Sequence, residues 1–237
     1  LEQNGGYGMG NQEGINYAVS CLEADYVIIA NPDIHVTPRC IRRVKDALDK
    51  TQGAVAASAR VKDPMGGELF SYWTLLPLWK DLLDTGLVTR RLFKAMLNTP
   101  SYRLAYAGDE DCRLVDAVPG SFFMLKTGIL TPGEIKEVFD KHIFLYYEEK
   151  VLGQKFRKMG LKTVLVTDES YVHAHSVSID KSFKRIVDKQ RLLHRSKLYY
   201  YKEYLGTGPA GMAAARAVLG LVLAEVWFLT VVCRMRW

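Results

Sequence analysis

Residues 23–38 read EADYVIIANPDIHVTP. Val27, Ile28 and Ile29 make the short apolar run of a buried strand, and the run stops at Asn31-Pro32-Asp33. Pro32 fixes its own φ and steers Asn31 away from helical geometry, so Asp33 is aimed rather than loose. Two readings follow. Asn-Pro-Asp is commonly a plain turn. A carboxylate just past the carboxyl end of a strand also stands where open α/β sheets bind ligands. There it can hold a divalent metal, and the metal can hold a diphosphate.

Working outward, Pro38 opens a helix reaching about Leu48. GAVAASARV (53–61) is the next strand. Strand–helix–strand order at this spacing predicts a parallel α/β sheet. Upstream, NGGYGMG (4–10) is too glycine-rich for a helix or strand interior. It reads as a loop feeding a helix from Asn11 to Leu22, with Ile15, Ala18, Val19 and Leu22 at helical spacing. Such a loop can offer backbone N–H groups to an anion, although no Gly-Lys-Ser/Thr follows it. Downstream, residues 62–111 are a long excursion of the kind that carries function. Strand character returns over 114–126, around Pro119-Gly120. Helices are expected at 132–139 and 148–160, and strands at 162–167 and 170–176. A basic, aromatic helix is expected from Ser182 to about Tyr204.

The chain has 237 residues and a formal net charge of +6, with a pI near 9.0. That balance favours anionic partners or describes a solvated basic surface. Without a zinc finger or a basic-aromatic RNA signature, nucleic acid is not an expected partner. Cys21, Cys40, Cys112 and Cys233 stand far apart with no metal or redox spacing, which suits reduced thiols and a cytosolic compartment. Cys21 and Cys40 read as small hydrophobes on helices. From Ala217 to Cys233 the only charge is Glu225, and Arg216, Arg234 and Arg236 flank the stretch. It is just short of a membrane span. A helix lying in the membrane interface, with Trp227 and Trp237, fits the pattern. A core-packing or oligomer-forming helix is the alternative.

Two further stretches carry chemistry. In FLYYEEKVLGQKFRKMG (144–160), Glu148 and Glu149 begin a helix. Carboxylates there either answer the helix dipole or supply a general base, its pKa raised by an aromatic shelf of Phe144, Tyr146 and Tyr147. In YVHAHS (171–176), His173 and His175 fall on one side of a strand. They read as a metal pair, or as one buried and one exposed histidine.

Taken in order, NGGYGMGNQEGINYA, YVIIANPDIHVTP, VPGSFFMLKTGIL, IFLYYEEKVLGQKFRKMGLKT and YVHAHSVS resemble the family 2 glycosyltransferases, particularly their rhamnosyltransferase-like branch in bacterial surface polysaccharide synthesis. The likeness runs over about residues 2–204. It implies a GT-A fold: an α/β, Rossmann-like, mostly parallel sheet flanked by helices. The family's first strand–helix units are lacking, so the domain reads as N-terminally incomplete and the chain as entered midway. The expected organisation is a catalytic domain over 1–180, then a basic helix and an apolar C-terminal helix over 181–237.

The resemblance implies an inverting transfer from a nucleotide-sugar, dTDP-rhamnose or a UDP-sugar, to a lipid-linked or polysaccharide acceptor. Asp33 matches the last aspartate of the family's metal motif, and His173 the histidine that completes the metal shell, for Mg2+ or Mn2+. Glu148-Glu149 fall on the family's Glu-Asp pair. Glu149 is at the base position, one methylene longer than aspartate, and Glu148 is the alternative. Gly120 and Ser121 match an acceptor-side turn. Gly10, Asn11 and Asn31 are placed beside the donor. The basic run Lys181, Lys184, Arg185, Lys189, Arg191, Arg195 and Lys197 is expected to dock on anionic lipid, with Arg195 or Lys197 as an alternative contact for the donor diphosphate. The expected location is the inner face of the cell membrane, as a peripheral protein and a possible homo-oligomer. A catalytically silent, membrane-associated interaction module of the same fold is the rival reading.

Overall fold

The computed structural model describes residues 4–93, 97, 111–174 and 186–234. The chain divides into two compact units. The first comprises Leu1–Leu75, Ser101–Phe144 and Glu148–His175, and the second Leu76–Pro100, Leu145–Tyr147 and Ser176–Trp237. The second unit therefore draws in two internal segments as well as the tail.

The first unit is a six-stranded sheet with helices on it. In chain order it contains α1 (Gly6–Leu22), β1 (Tyr26–Ala30), β2 (Ile34–His35), α2 (Pro38–Lys50) and β3 (Ala54–Lys62). β4 (Cys112–Val115), β5 (Phe122–Lys126), α5 (Pro132–Ile135), α6 (Glu148–Lys158) and β6 (Lys162–His173) complete it. The strand order is β1-β5-β3-β6-β2, with β4 also paired to β6.

The sheet is mixed, not mostly parallel. β3 and β6 are the parallel pair, whereas β1–β5, β3–β5, β2–β6 and β4–β6 are antiparallel. β5 slots between β1 and β3 in the reverse direction, and β2 and β4 run against β6; these three strands account for the departure from the expected pattern. β1, β3 and β6 still run the same way. Their carboxyl ends and the starts of β2 and β5 therefore lie along one edge of the sheet.

Local chemistry explains most elements. Thr37 caps α2 by accepting the Cys40 N–H at 3.1 Å, and Pro38 occupies the first turn. β3 is buried almost throughout, as a strand covered on both faces must be. One face packs against Cys40, Val44, Ala47 and Leu48 of α2. The other meets Ile15 of α1 and Leu152 and Phe156 of α6. The predicted strand 162–167 and the described start of the predicted strand 170–176 are one element, β6, whose register against β3 shifts twice, near its start and in its middle.

The glycine-rich segment is helix from Gly6, not loop. Gly6 has φ +84°, and a Cβ there would stand 2.2 Å from the Phe144 carbonyl oxygen. The Tyr7 N–H donates to that same oxygen at 3.1 Å. The glycine serves a close backbone approach, and that tertiary contact outweighs its poor helix propensity. Of the two cysteines read as small hydrophobes on helices, Cys21 is exposed and Cys40 is buried.

The second unit is helical: α3 (Leu78–Leu83), α4 (Leu87–Leu92), α7 (Ile186–Glu203) and α8 (Pro209–Trp227), the last continued by a π-helical turn over Phe228–Val232. Met212, Ala215, Leu219, Val222 and Val226 form the buried stripe of α8. The helix is longer than its apolar run suggested. Pro209–Val232 is 24 residues, long and apolar enough to cross a membrane by length and composition, and 22% of its most apolar window is buried.

Candidate active site

Chain direction assembles the site. β1 ends at Ala30, and the next residue, Asn31, donates its N–H to the Ser121 carbonyl at 2.8 Å. This fastens the end of β1 to the turn that starts β5. The chain then passes Asp33 and pairs Ile34 with His173, while the Ala174 N–H donates to the Asp33 carbonyl at 2.9 Å. Asp33 Oδ1 consequently stands 3.3 Å from His173 Nε2.

From His173 the site continues through Tyr171 on the same strand. The Tyr171 hydroxyl and Ser121 Oγ share a buried hydrogen bond of 2.7 Å. Beside Ser121, the Gly120 N–H donates to Glu149 Oε1 at 3.4 Å, and the Gly120 carbonyl accepts from the Tyr7 hydroxyl at 2.5 Å. Asp33, His173, Asn31, Gly120, Ser121 and Glu149 are thus linked by short steps within the first unit.

α6 aims Glu149. Gly153, one turn on, lets the helix approach the 116–117 backbone so closely that a Cβ would lie 2.4 Å from the Asp116 carbonyl oxygen. Glu149 then faces a small apolar cavity lined by Ala117, Val118, Phe123, Leu152 and Phe156. Burial raises its carboxyl above the ordinary glutamate value, opposed by hydrogen bonds from its own N–H and that of Gly120 and by the Lys150 charge. A carboxyl moved toward neutrality is suited to accept a proton there. Glu148 is buried beside it.

Two members of the predicted aromatic shelf are placed otherwise. Phe144 is exposed, and the Tyr147 hydroxyl is committed to Asp81 within the second unit, at 2.5 Å. Tyr7 takes the shelf's place. Its hydroxyl pKa is raised well above the ordinary value by burial, then by the Glu149 and Glu148 charges, so it stays protonated and donating. Sequence reasoning missed Tyr7 because it lay in a segment read as loop. Its helical spacing of four from Asn11, which returns its amide to the Tyr7 carbonyl at 3.0 Å, was the available signal.

Other expectations fall away from this cluster. Asn11 is held inside α1, and Gly10 has open space around it. The Gly6 N–H donates to Asn4 Oδ1 at 3.0 Å and that of Tyr7 to Phe144. Two of the N–H donors at the start of α1 are therefore already taken. In the second unit Arg195 is exposed, but Lys197 is buried in an ion pair with Asp81 at 3.1 Å, not presented to lipid or diphosphate. His175, Lys181, Lys184, Arg185, Arg236 and Trp237 lie outside the described residues.

Among the described residues, no group of three or more His, Cys, Asp or Glu side chains is arranged to hold a metal. Asp33 and His173 nonetheless fit a partial site. Among the described residues Asp33 Oδ1 is buried without a hydrogen-bond partner, and a carboxylate oxygen beside an imidazole nitrogen suits Mg2+ or Mn2+ when ligand and water complete the shell. Compared with models of known protein families and with curated proteins, the sequence gives no match.

Proposed function

We propose that this protein is an inverting glycosyltransferase that moves a sugar from a nucleoside diphosphate to a hydroxyl acceptor. The observation that carries the reading is the linked path from Asp33 and His173 through Tyr171, Ser121 and Gly120 to Glu149. It links a pair suited to a divalent cation, at the end of a sheet, with a carboxylate of raised pKa on α6.

Glu149 accepts the proton of the acceptor hydroxyl as that oxygen attacks the anomeric carbon. The bond from that carbon to the diphosphate oxygen breaks, and the nucleoside diphosphate leaves with the electron pair. The Gly120 N–H fixes the carboxylate, and Tyr7 fixes the Gly120 carbonyl. The reacting groups are thereby oriented before the substrate arrives. Asp33 and His173 would hold a divalent cation, and such a cation neutralises charge gathering on the leaving diphosphate. The basic surface and the apolar α8 support a lipid-linked acceptor and a peripheral place at an anionic membrane. Rhamnose from a dTDP donor is the proposed sugar, resting on the resemblance alone.

The test is release of nucleoside diphosphate from a panel of dTDP- and UDP-sugars, with and without Mg2+ or Mn2+. Metal-dependent release that Asp33→Asn and Glu149→Gln both abolish, in folded protein, is the expected result. Release unaffected by either substitution would overturn the assignment. The rival, a silent interaction module, draws on the two-residue metal shell and predicts no turnover of any donor.

A further inference from the structure

Apart from Trp79 on α3, the large exposed apolar side chains described in the second unit lie on or directly after two helices. α4 buries none of its residues. Val88, Leu92 and the following Phe93 are exposed, Leu92 at 73%, with Arg90 and Arg91 exposed among them. α8 keeps Leu221 at 72% exposure, and Trp227, Phe228, Val231 and Val232 are also open. Exposed apolar groups gathered in this way mark an interaction surface.

Glu225 joins the two helices. Its Oε2 accepts the Leu87 N–H at 3.2 Å and its Oε1 the Val88 N–H at 3.1 Å. The one charge of the apolar stretch thus satisfies two of the orphan donors at the start of α4. On α8, Leu221 and Phe228 sit one turn to either side of Glu225. On α4, Val88 is a residue it holds, and Leu92 lies one turn further. The exposed side chains of both helices flank one hydrogen-bonded joint.

We propose that α4 and the C-terminal half of α8 form a single edge that inserts into the interfacial layer of an anionic bilayer, with α8 lying in the membrane plane. This rests on the membrane-docking part of the reading above and is independent of the catalytic part. Charge identifies the occupant: Arg91, Arg216 and Arg234 are exposed on or beside these elements, the chain is +6 overall, and anionic headgroups complement both. Mixed basic and large apolar side chains are the composition of an interfacial helix. Crossing is opposed by the joint itself. It would carry Glu225 into hydrocarbon together with α4 and two arginines, where each charge is costly.

The test is flotation of the intact protein with vesicles of phosphatidylcholine alone and with added phosphatidylglycerol. The protein should bind the anionic vesicles, less so in high salt. Val88→Gln with Leu92→Gln should weaken binding about tenfold or more, from lost apolar burial, with an unchanged melting temperature because both sites are exposed. If the parent floats and the double variant floats equally well, α4 is not part of the edge and the proposal is overturned. If the parent binds no vesicle, membrane docking itself fails, and the proposal with it. If the parent is a dimer that the double variant dissociates, the surface is a protein interface, and that too overturns it.

Discussion

Asp33 Oδ1 and His173 Nε2 face each other at 3.3 Å, brought together by the antiparallel pairing of β2 with β6. Each side chain is largely but not wholly enclosed, with Asp33 Oδ1 itself buried. Removing either partner should act on cation binding before it acts on folding. Asp33→Asn and His173→Gln are each expected to weaken Mn2+ binding about 10- to 100-fold, read by electron paramagnetic resonance of free Mn2+. Diphosphate release should fall in parallel. Unchanged Mn2+ affinity in both variants would remove the pair from the mechanism.

Glu149 couples activity to stability. Its carboxyl is raised by burial, so the folded state favours the protonated form more than the unfolded chain does. The resulting stabilisation is present below the ordinary glutamate value and is lost as pH rises through that value toward the raised one. Glu149→Gln should thus raise the melting temperature at neutral pH, leave it nearly unchanged in acid, and abolish transfer. The wild-type rate should climb with pH on its acid limb as the base ionises. A variant destabilised at neutral pH would show that the carboxylate is held for structure.

Gly153 sets where Glu149 stands. Ala at this position would place its Cβ against the Asp116 carbonyl, and backbone cannot yield as a flexible side chain can. Gly153→Ala should cost about 1–3 kcal/mol in chemical denaturation, the usual range for overpacking. It should also reduce kcat more than KM, because the helix carrying the base is displaced. Equal stability of the two proteins would mean that α6 can shift freely and that the close approach positions nothing.

Much of the first unit was legible because its signals are local. The apolar run of β1, the proline-opened α2 and the alanine-rich β3 are each announced within about ten residues. The placement of Asp33 was legible for the same reason: Asn31-Pro32 follows the strand directly. The direction of β5 was not, since an apolar run carries no arrow, and its place between β1 and β3 depends on pairings with both. Gly6 misled because its reason for being glycine is the distant Phe144 carbonyl. Lys197 misled in the same way. It sits in a basic run, and its partner Asp81 lies in a segment that sequence alone left unassigned.

His194 should report acid unfolding of the second unit. Burial, and then the Lys197 charge, lower its pKa to about 4, so the folded state holds it neutral. Its stabilisation is complete above the ordinary value of 6.5 and is lost as pH falls from there toward about 4. His194→Gln should flatten the melting temperature against pH across that window, while Gln190, whose amide lies 2.9 Å from His194 Nε2, keeps a polar neighbour. An unaltered pH profile would assign the acid sensitivity elsewhere.

Asp81 is the electrostatic centre of the second unit. It is 1% exposed and accepts from the Tyr147 and Tyr201 hydroxyls at 2.5 and 2.6 Å, with the Lys197 ammonium at 3.1 Å. Burial and then the Asp81 charge push both tyrosine hydroxyls far up, so they remain donors at every physiological pH. Lys197→Met removes the ammonium from a carboxylate that stays buried beside its tyrosine donors, and should cost about 3–5 kcal/mol, as breaking one side of a buried pair does. Adding Asp81→Asn removes that stranded charge, while its amide oxygen still accepts from both tyrosines. The double variant should therefore recover most of the loss. Urea denaturation of the wild type, the two single variants and the double variant measures the coupling directly. Strictly additive losses would show that the lysine and the aspartate act apart.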